Sequence, residues 1–192
     1  MKIFKDKLFR FLVVFLTVCS IMPLIFIFSV IFKNGISSLN IEFLTSLPKP
    51  PGEVGGGVLN AIIGSFLLVF FASLIAIPLG IFLGIFLYEY RNKKFGEFLN
   101  ILVDVLQGIP SIVIGIISYI WIVKKMGHFS GISGSFALSL ILLPIIIKST
   151  KETLKMVPFS MIEASLSLGI SYPRTIFRVV LPSCIGGISS GI

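Results

Sequence analysis

Long runs of apolar residues constrain this chain more than any other feature of its sequence. The first run covers residues 8–32 and contains no charged side chain after Arg10. About 20 such residues are enough to cross the hydrocarbon core of a bilayer as a helix. The chain is 56% hydrophobic and 12% charged, and soluble proteins carry about twice that charged fraction. One compact core cannot cover so many apolar side chains, so we predict an all-α membrane protein.

The first apolar run also has the basic start of a signal peptide, with Lys2, Lys5, Lys7 and Arg10 at its beginning. Apolar regions of signal peptides are about 7–15 residues long and end at a cleavage site of small residues. The run here is longer and lacks that site. We therefore predict a retained N-terminal transmembrane helix over residues 1–33.

Four further apolar segments follow, at residues 58–88, 98–123, 135–147 and from about 175 to the end. The segment at 135–147 reaches spanning length only if it continues toward residue 157 with its lysines snorkelling. After Arg178 only 14 residues remain, whereas a span requires about 20, so we expect the chain to be truncated at its C-terminus. The sequence thus predicts a polytopic helical bundle of about five spans, the last incomplete, with residues 58–192 as one transmembrane domain.

The distribution of basic residues predicts the orientation in the membrane. If the N-terminus is cytoplasmic, 12 of the 16 lysines and arginines fall on the inner side. The outer side then holds Lys33, Lys49, Lys124 and Lys125. Because basic residues accumulate on the cytoplasmic side, we predict a multi-pass plasma (inner) membrane protein with a cytoplasmic N-terminus. The net charge of +8 therefore marks membrane topology, and no nucleic-acid partner is expected.

The stretch between the first two spans is rich in proline and glycine. Residues 34–57 include Pro48, Pro50, Pro51 and the run Gly55-Gly56-Gly57. Such a sequence disfavours a regular helix or a central strand. We predict an extracytoplasmic loop without regular structure.

A short segment before the last apolar run has the marks of a docking helix. Pro158 suits the first turn of a helix, and Gly169 suits the position just beyond its end, where φ is often positive. The helix predicted over about residues 158–169 is too short to cross a bilayer. Glu163 belongs to its polar stripe, and the small Ala164 and Ser165 allow close approach of another protein. The alternative is an amphipathic helix that lies on lipid, but the segment contains no basic residue.

Each face of this predicted helix is defined by residues at helical spacing. The polar stripe consists of Ser160, Glu163, Ser167 and Ser171, and the apolar stripe consists of Phe159, Ile162 and Leu166. We expect the two stripes to face different surroundings.

The third span contains a helix breaker, which makes it a candidate for the translocation pathway. Pro110 interrupts the segment within Gly108-Ile109-Pro110-Ser111. Backbone groups freed inside a membrane must be satisfied by protein or by a wet cavity. We therefore take Gln107, Pro110 and Ser111 as candidate pathway-lining residues, with a simple kink as the alternative.

Other polar residues within the apolar segments are given structural interpretations. Asp104 is expected to cap its helix at the headgroup level, with a functional role for this ionisable group within a span as the alternative. Lys148, Lys151 and Lys155 share one helix face, and we expect them to contact anionic lipid headgroups. The pairs Gly80/Gly84 and Gly187/Gly191 have the spacing that allows close packing of helices. No Walker motif, metal-ligand cluster or catalytic set is found in the sequence, so we expect no enzymatic activity and no cofactor.

The docking segment resembles the "EAA" loop of ABC importer permeases. That pattern is Glu-Ala-Ala, three residues, Gly, nine residues and Ile-x-Leu-Pro. Here it reads Glu163-Ala164-Ser165, then Gly169, then Val179-Val180-Leu181-Pro182, with departures at Ser165 and Val179. The resemblance implies that Glu163, Ala164, Ser165 and Gly169 couple the chain to an ATPase.

Several further stretches are similar to the permease subunits of the phosphate-specific ABC importer. They are Gly56-Gly57 leading into Ala61-Ile62-Ile63-Gly64-Ser65, Ile77-Pro78-Leu79-Gly80-Ile81, Leu87-Tyr88-Glu89-Tyr90, Leu143-Pro144 with Lys148-Ser149-Thr150-Lys151-Glu152, and Asp104-Val105-Leu106-Gln107-Gly108-Ile109-Pro110-Ser111-Ile112-Val113-Ile114-Gly115. The Pro-Ser-Ile-Val-Ile-Gly run favours the PstA-type subunit over its PstC-type partner. The resemblance covers about residues 55–192 and implies a MetI-like helical bundle.

The resemblance also implies partners and a substrate. A homologous PstC-like permease, two PstB-like ATPase subunits and a PstS-like extracytoplasmic phosphate-binding protein would assemble with the chain in the lipid bilayer. The substrate would be inorganic phosphate. Three alternatives stay open: an ABC permease for another anion or an amino acid, an ion-coupled carrier or channel, and a membrane scaffold without transport activity.

Overall fold

The protein is described by a computed structural model that covers residues 2–191, and within them all regular structure is helical. The helices are α1 (Lys2–Gly35), α2 (Ile41–Thr45), α3 (Leu59–Glu89), α4 (Lys94–Gly108), α5 (Ser111–Ser118), α6 (Lys124–Met126), α7 (Gly131–Lys155), α8 (Phe159–Ser167), α9 (Tyr172–Thr175) and α10 (Leu181–Ser189). A π-helical segment, Tyr119–Val123, joins α5 to α6, and another, Ile176–Val180, joins α9 to α10. The all-α prediction is confirmed.

Three of the helical stretches are long and apolar enough to cross a membrane. They are Lys5–Ser38, α3 and α7. The pair formed by α4 and the stretch Ser111–Met126 makes a fourth if it is counted as one span, with a bend of 96°. The predicted final, incomplete span corresponds to α9, its π-helical segment and α10. The chain is therefore a polytopic helical membrane protein.

The chain divides into two compact units, residues 1–62 and 63–192. In the first unit, α1 is followed by a 3₁₀ turn, Ile36–Ser38, and by α2. Asn40 begins α2 because its Oδ1 accepts a hydrogen bond from the Phe43 N–H at 2.7 Å, as a good N-cap residue does. The prediction that residues 34–57 lack a regular helix is therefore wrong for Ile41–Thr45, where this cap was overlooked.

The glycine at the end of the same loop is required by close backbone packing. The Gly57 N–H donates to the Leu47 carbonyl at 3.1 Å, and the Val58 N–H donates to the Phe43 carbonyl at 2.9 Å. A side chain at Gly57 would collide with that Phe43 carbonyl. The proline-rich stretch is thus fixed against α2 by hydrogen bonds.

In the second unit, α7 packs against α3 through two glycines of α3. A methyl group added at Gly80 would lie 2.6 Å from Ile146 Cγ2, and one added at Gly84 would lie 2.6 Å from Thr150 Cβ. Both distances are far below van der Waals contact, so only glycine permits this helix approach. The predicted packing role of the Gly80/Gly84 pair is confirmed.

The second glycine pair brings α10 against the same helix. A side chain at Gly187 would collide with Thr153, and one at Gly191 would collide with Ser149.

The central helix α7 begins at a capping box of Ser130 and Ser133 and continues through Lys148 to Lys155. This confirms that the fourth apolar segment extends beyond residue 147.

The buried core of the second unit lies near the end of α7. Its members come from α3, α7, α8, the π-helical segment Ile176–Val180 and α10. They are Tyr88, Leu154, Ile162, Ile176, Val180, Cys184 and Ile188. The short helix α8 is thereby joined to the spanning helices.

Candidate coupling and pathway sites

The predicted docking segment forms α8, which is shorter than expected. The helix covers Phe159–Ser167, whereas the sequence predicted about 158–169. Pro158 lies at the N-cap with φ −59° and ψ 132°, one residue before the helix and not within its first turn. Gly169 follows the C-cap residue Leu168 and has φ +76°, and its N–H donates to the Leu166 carbonyl at 2.9 Å. The helix therefore ends in the left-handed glycine that the sequence predicted.

The inward side of α8 is formed by Ile162 and Ser165. Both are buried, with 2% and 5% of their surface exposed. Ile162 packs in the apolar core beside Leu154 and Ile176. The Ser165 hydroxyl lies 2.9 Å from the hydroxyl of Thr175 on α9, within hydrogen-bonding distance. These two side chains attach α8 to the helices around it.

The outward side of α8 carries the other residues of the predicted docking surface. Glu163, Ala164 and Gly169 are all exposed. Ser165 does not share this exposure, because its side chain turns into the bundle. The small side chain at position 165 thus serves internal packing. The other three candidate coupling residues, Glu163, Ala164 and Gly169, are exposed to a partner.

The apolar stripe of α8 is divided between the two sides. Ile162 is buried, whereas Phe159 is 65% exposed and Leu166 is 40% exposed. The residues of the polar stripe, Ser160, Glu163, Ser167 and Ser171, are exposed as expected. Exposed apolar side chains beside a carboxylate form a mixed surface that suits contact with another protein.

A contact that the sequence analysis missed joins the segment after α8 to the end of α3. The Tyr172 hydroxyl donates a hydrogen bond to Glu89 Oε1 at 2.6 Å. Burial of the phenol, together with this bond and the negative charge of Glu89, raises the pKa of Tyr172 above its ordinary value of 10.0. The phenol is therefore neutral and remains a donor at physiological pH. The partners are 83 residues apart, so no local pattern revealed them.

The predicted break in the third span is a sharp bend between α4 and α5. Helix α4 ends at Gly108, and Pro110 precedes α5 with φ −56° and ψ 136°. The Ile109 N–H donates to the Leu106 carbonyl at 3.3 Å, which satisfies one backbone group at the break. Gln107, Pro110 and Ser111 are exposed. The axes of the two helices differ by 96°.

A polar cluster connects α4 to α7 beside this bend. Lys148 Nζ lies 2.5 Å from Asp104 Oδ1 and also contacts the Gln107 amide oxygen. One turn further along α7, Lys151 donates to Asn100 Oδ1 at 2.6 Å. The interpretation of Asp104 as a helix cap is wrong, because its carboxylate pairs with a lysine of another helix. Lys148 and Lys151 likewise contact protein groups, whereas the sequence analysis assigned them to lipid.

Within residues 2–191, no group of three or more His, Cys, Asp or Glu side chains is placed to hold a metal ion. Cys184 is buried in the apolar core, and Cys19 is exposed on α1. The arrangement that stands out is mechanical, namely a short exposed helix attached to a bundle of spanning helices.

Spanning helices of this kind, with a bent span and a short attached helix, define a multi-pass membrane subunit of the importer permease class. The chain belongs to the family of binding-protein-dependent transport system inner membrane components, whose sequence model matches residues 76–192. The description of that family is of a transport component. Membership of this family places it in the inner membrane as a multi-pass protein.

Curated relatives narrow the resemblance within the family. The chain is 42% identical over 167 residues to the phosphate transport system permease protein PstA of Yersinia pestis, covering 86% of this chain and 56% of that protein. PstA of Haemophilus influenzae is 40% identical over 167 residues, with 86% and 58% covered. The probable PstA of Methanocaldococcus jannaschii is 34% identical over 191 residues, with 100% and 67% covered. The chain thus spans a little over half the length of the two bacterial relatives.

A solved structure supports the fold. The inward-facing MetNI methionine ABC transporter has a chain that superposes with a TM-score of 0.58 at 22% identity, covering 70% of this chain and 64% of that chain. The predicted MetI-like bundle is therefore confirmed as a fold. At this identity the likeness carries no information about the substrate.

Proposed function

We propose that the chain is the PstA-type permease subunit of an ATP-driven importer and that it forms the path for inorganic phosphate together with a homologous, PstC-like permease. The printed names of the bacterial and archaeal relatives support phosphate as the substrate. Family membership supports an importer that works with a binding protein. The remaining partners in this proposal are two PstB-like ATPase subunits and a PstS-like phosphate-binding protein.

The observation that carries the proposal is the two-sided geometry of α8. Its outward residues Glu163, Ala164 and Gly169 are free to contact a partner, while Ile162 and Ser165 hold the helix to the core. A helix attached in this way moves with the spanning helices when its outer surface is displaced. We assign it to ATPase coupling.

The orientation belongs to the same proposal. The excess of basic residues on one side supports a cytoplasmic position for the N-terminus and α8. An ATPase that uses cytoplasmic ATP meets the permease on that side. The orientation inferred from the basic residues and the coupling role inferred from α8 therefore agree, although the two inferences use different residues.

Transport then follows as a shift between two packings of the permease pair. Closure of the ATPases on ATP displaces α8, and its contacts with Leu154, Ile176 and Thr175 carry the displacement to α7 and to the last helix. ATP binding can shift the equilibrium between the two packings only by the difference between its affinities for them. The bend at Pro110, with Gln107 and Ser111 exposed beside it, is the proposed pathway-lining region.

Uptake measurements test the substrate and the energy source together. Vesicles containing the permease pair and the ATPases should accumulate labelled phosphate only with ATP and binding protein present. Competition by excess phosphate, but not by sulfate or amino acids, is the expected result. ATP-driven uptake of sulfate or an amino acid would show that phosphate is not the specific substrate. Phosphate flux without the ATPases would favour a carrier or channel.

A further inference from the structure

Two adjoining cavities lie where the end of α3 meets α4 and α7. The first has a volume of about 420 Å³, and its polar lining includes Arg91, Lys93, Lys94, Glu97, Asn100 and Lys151. The second has a volume of about 190 Å³ and an apolar lining that includes Leu83, Phe86, Leu102, Leu106, Leu143 and Ile147. Leu87 lines both. Together they form one site with a basic end and an apolar end, which we call the α3–α4–α7 site.

The basic end carries a charge that the protein does not neutralise. The lining contains four cationic residues and one carboxylate, that of Glu97. Lys151 is partly compensated, because its Nζ lies 4.0 Å from Glu152 Oε1 and donates to Asn100. Among the ion pairs of residues 2–191, none includes Arg91, Lys93 or Lys94. Arg91 and Lys93 instead lie over the rings of Tyr88 and Tyr90, at 4.4 Å and 4.9 Å. These interactions orient the two cations without cancelling their charge, so the cavity favours an anion.

The order of residues along the helices places the two ends at different membrane depths. Arg91, Lys93 and Lys94 follow directly after α3, at the edge of its span. Leu83 lies one turn further into α3 than Leu87, and Ile147 lies one turn further into α7 than Lys151. The basic cavity is therefore at the membrane surface, and the apolar cleft leads from it toward the bilayer interior.

We propose that the α3–α4–α7 site binds an anionic phospholipid. The phosphate group of the lipid lies among Arg91, Lys93 and Lys94, and the first part of an acyl chain lies in the apolar cleft. Basic pockets between membrane helices bind acidic headgroups in this way. The apolar cleft distinguishes a lipid from free phosphate, which has no group to fill it. The local positive charge distinguishes an anionic lipid from a zwitterionic one.

Native mass spectrometry of the purified chain in detergent tests this proposal. Phosphatidylglycerol should give a bound species at lower lipid concentration than phosphatidylcholine. Each basic residue near an anionic lipid strengthens binding roughly fivefold, so the double variant Arg91→Gln/Lys94→Gln should bind phosphatidylglycerol about 25-fold more weakly. The control Lys124→Gln/Lys125→Gln removes the same charge from exposed positions outside the site and should bind normally.

A second pair of variants tests the apolar end without changing charge. Leu102→Trp fills the cleft and should weaken phosphatidylglycerol binding severalfold. Ile101→Trp adds the same bulk at the neighbouring exposed position, which does not line the cleft, and should leave binding unchanged. Circular dichroism and size-exclusion chromatography establish that all four variants are folded.

Specific outcomes would overturn the proposal. They are equal binding of phosphatidylglycerol and phosphatidylcholine, equal losses in the site and control variants, and displacement of the lipid by excess inorganic phosphate. The last result would assign the basic cavity to a free anion. Because the readout is lipid binding, failure here would leave the transport proposal intact.

Discussion

The hydroxyl oxygens of Ser165 and Thr175 lie 2.9 Å apart in the buried interior. Ser165 belongs to the short helix that we assign to ATPase coupling, and Thr175 ends the helix α9 that leads into the last apolar segment. The contact therefore attaches the coupling helix at a second point beside Ile162. Only 5% of the surface of Ser165 is exposed, so a larger side chain at this position would have to displace its neighbours.

Substitutions at Ser165 should separate the lost hydrogen bond from lost space. After Ser165→Ala, Thr175 Oγ1 retains the Ser171 carbonyl at 3.4 Å, so we expect a loss of about 1 kcal/mol or less in the free energy of unfolding. Ser165→Leu overpacks the core and should cost about 1–3 kcal/mol. Thermal unfolding in detergent measures both. The exposed control Ser167→Leu should change stability little, and equal effects of leucine at 165 and 167 would contradict the buried position of Ser165.

Gly169→Asp should abolish co-purification of the ATPase while leaving membrane insertion intact. The residue has φ +76° with open space around it, so aspartate fits sterically but adds backbone strain and a charge on the proposed coupling surface. Gly127→Asp is a matched control, because Gly127 also has φ +76° and open space. We expect the control to retain the ATPase. If both variants retain it, Gly169 is not part of the coupling surface.

Alanine at two glycines of α3 should have opposite effects on stability. At Gly84 the added methyl group would collide with Thr150 and lie 2.9 Å from the Ile147 carbonyl oxygen, so we expect Gly84→Ala to destabilise the protein by about 1–3 kcal/mol. At Gly64 nothing lies within 4 Å, and alanine favours a helix by about 0.5–1 kcal/mol over glycine. Thermal unfolding of the two variants checks this difference. Equal stability would contradict the close packing of α3 against α7.

Tyr172→Phe should destabilise the protein by about 1 kcal/mol, since a hydrogen bond to a charged but partly exposed carboxylate is lost. The folded-state pKa of Tyr172 is raised, so the stabilising contribution is complete below the unfolded value of 10.0 and is lost only as pH rises beyond it. The difference between the variant and the wild type should therefore be constant from about pH 6 to 9. Thermal unfolding across that range measures it, and a difference that disappears by neutral pH would contradict a protonated phenol.

The sequence predicted the spanning helices well because bilayer thickness fixes their length. The second span was expected at residues 58–88, and α3 covers Leu59–Glu89. The two glycine pairs were also predicted correctly as packing sites, because the spacing of small residues places them on one helix face. Such features depend only on local periodicity and on the apolar solvent around the helices.

Contacts between distant residues could not be predicted in the same way. Lys148 and Lys151 find their partners on α4, 41 and 51 residues away in the sequence. The direction of Ser165 was also missed, because α8 has apolar residues on both sides and its pattern does not show which side packs inward. Asn40 is different, since a helix cap is readable in the sequence, and it was overlooked within the proline-rich loop.

Accessibility of residue 163 tests the central claim most directly, namely that α8 is a cytoplasmic coupling helix. In a background with Cys19 and Cys184 replaced, Glu163→Cys is labelled with a membrane-impermeant maleimide in vesicles of either orientation, with Lys125→Cys as the marker of the opposite side. We expect position 163 to react only from the cytoplasmic side and to be protected when the ATPase binds. Reaction only from the external side would contradict this expectation.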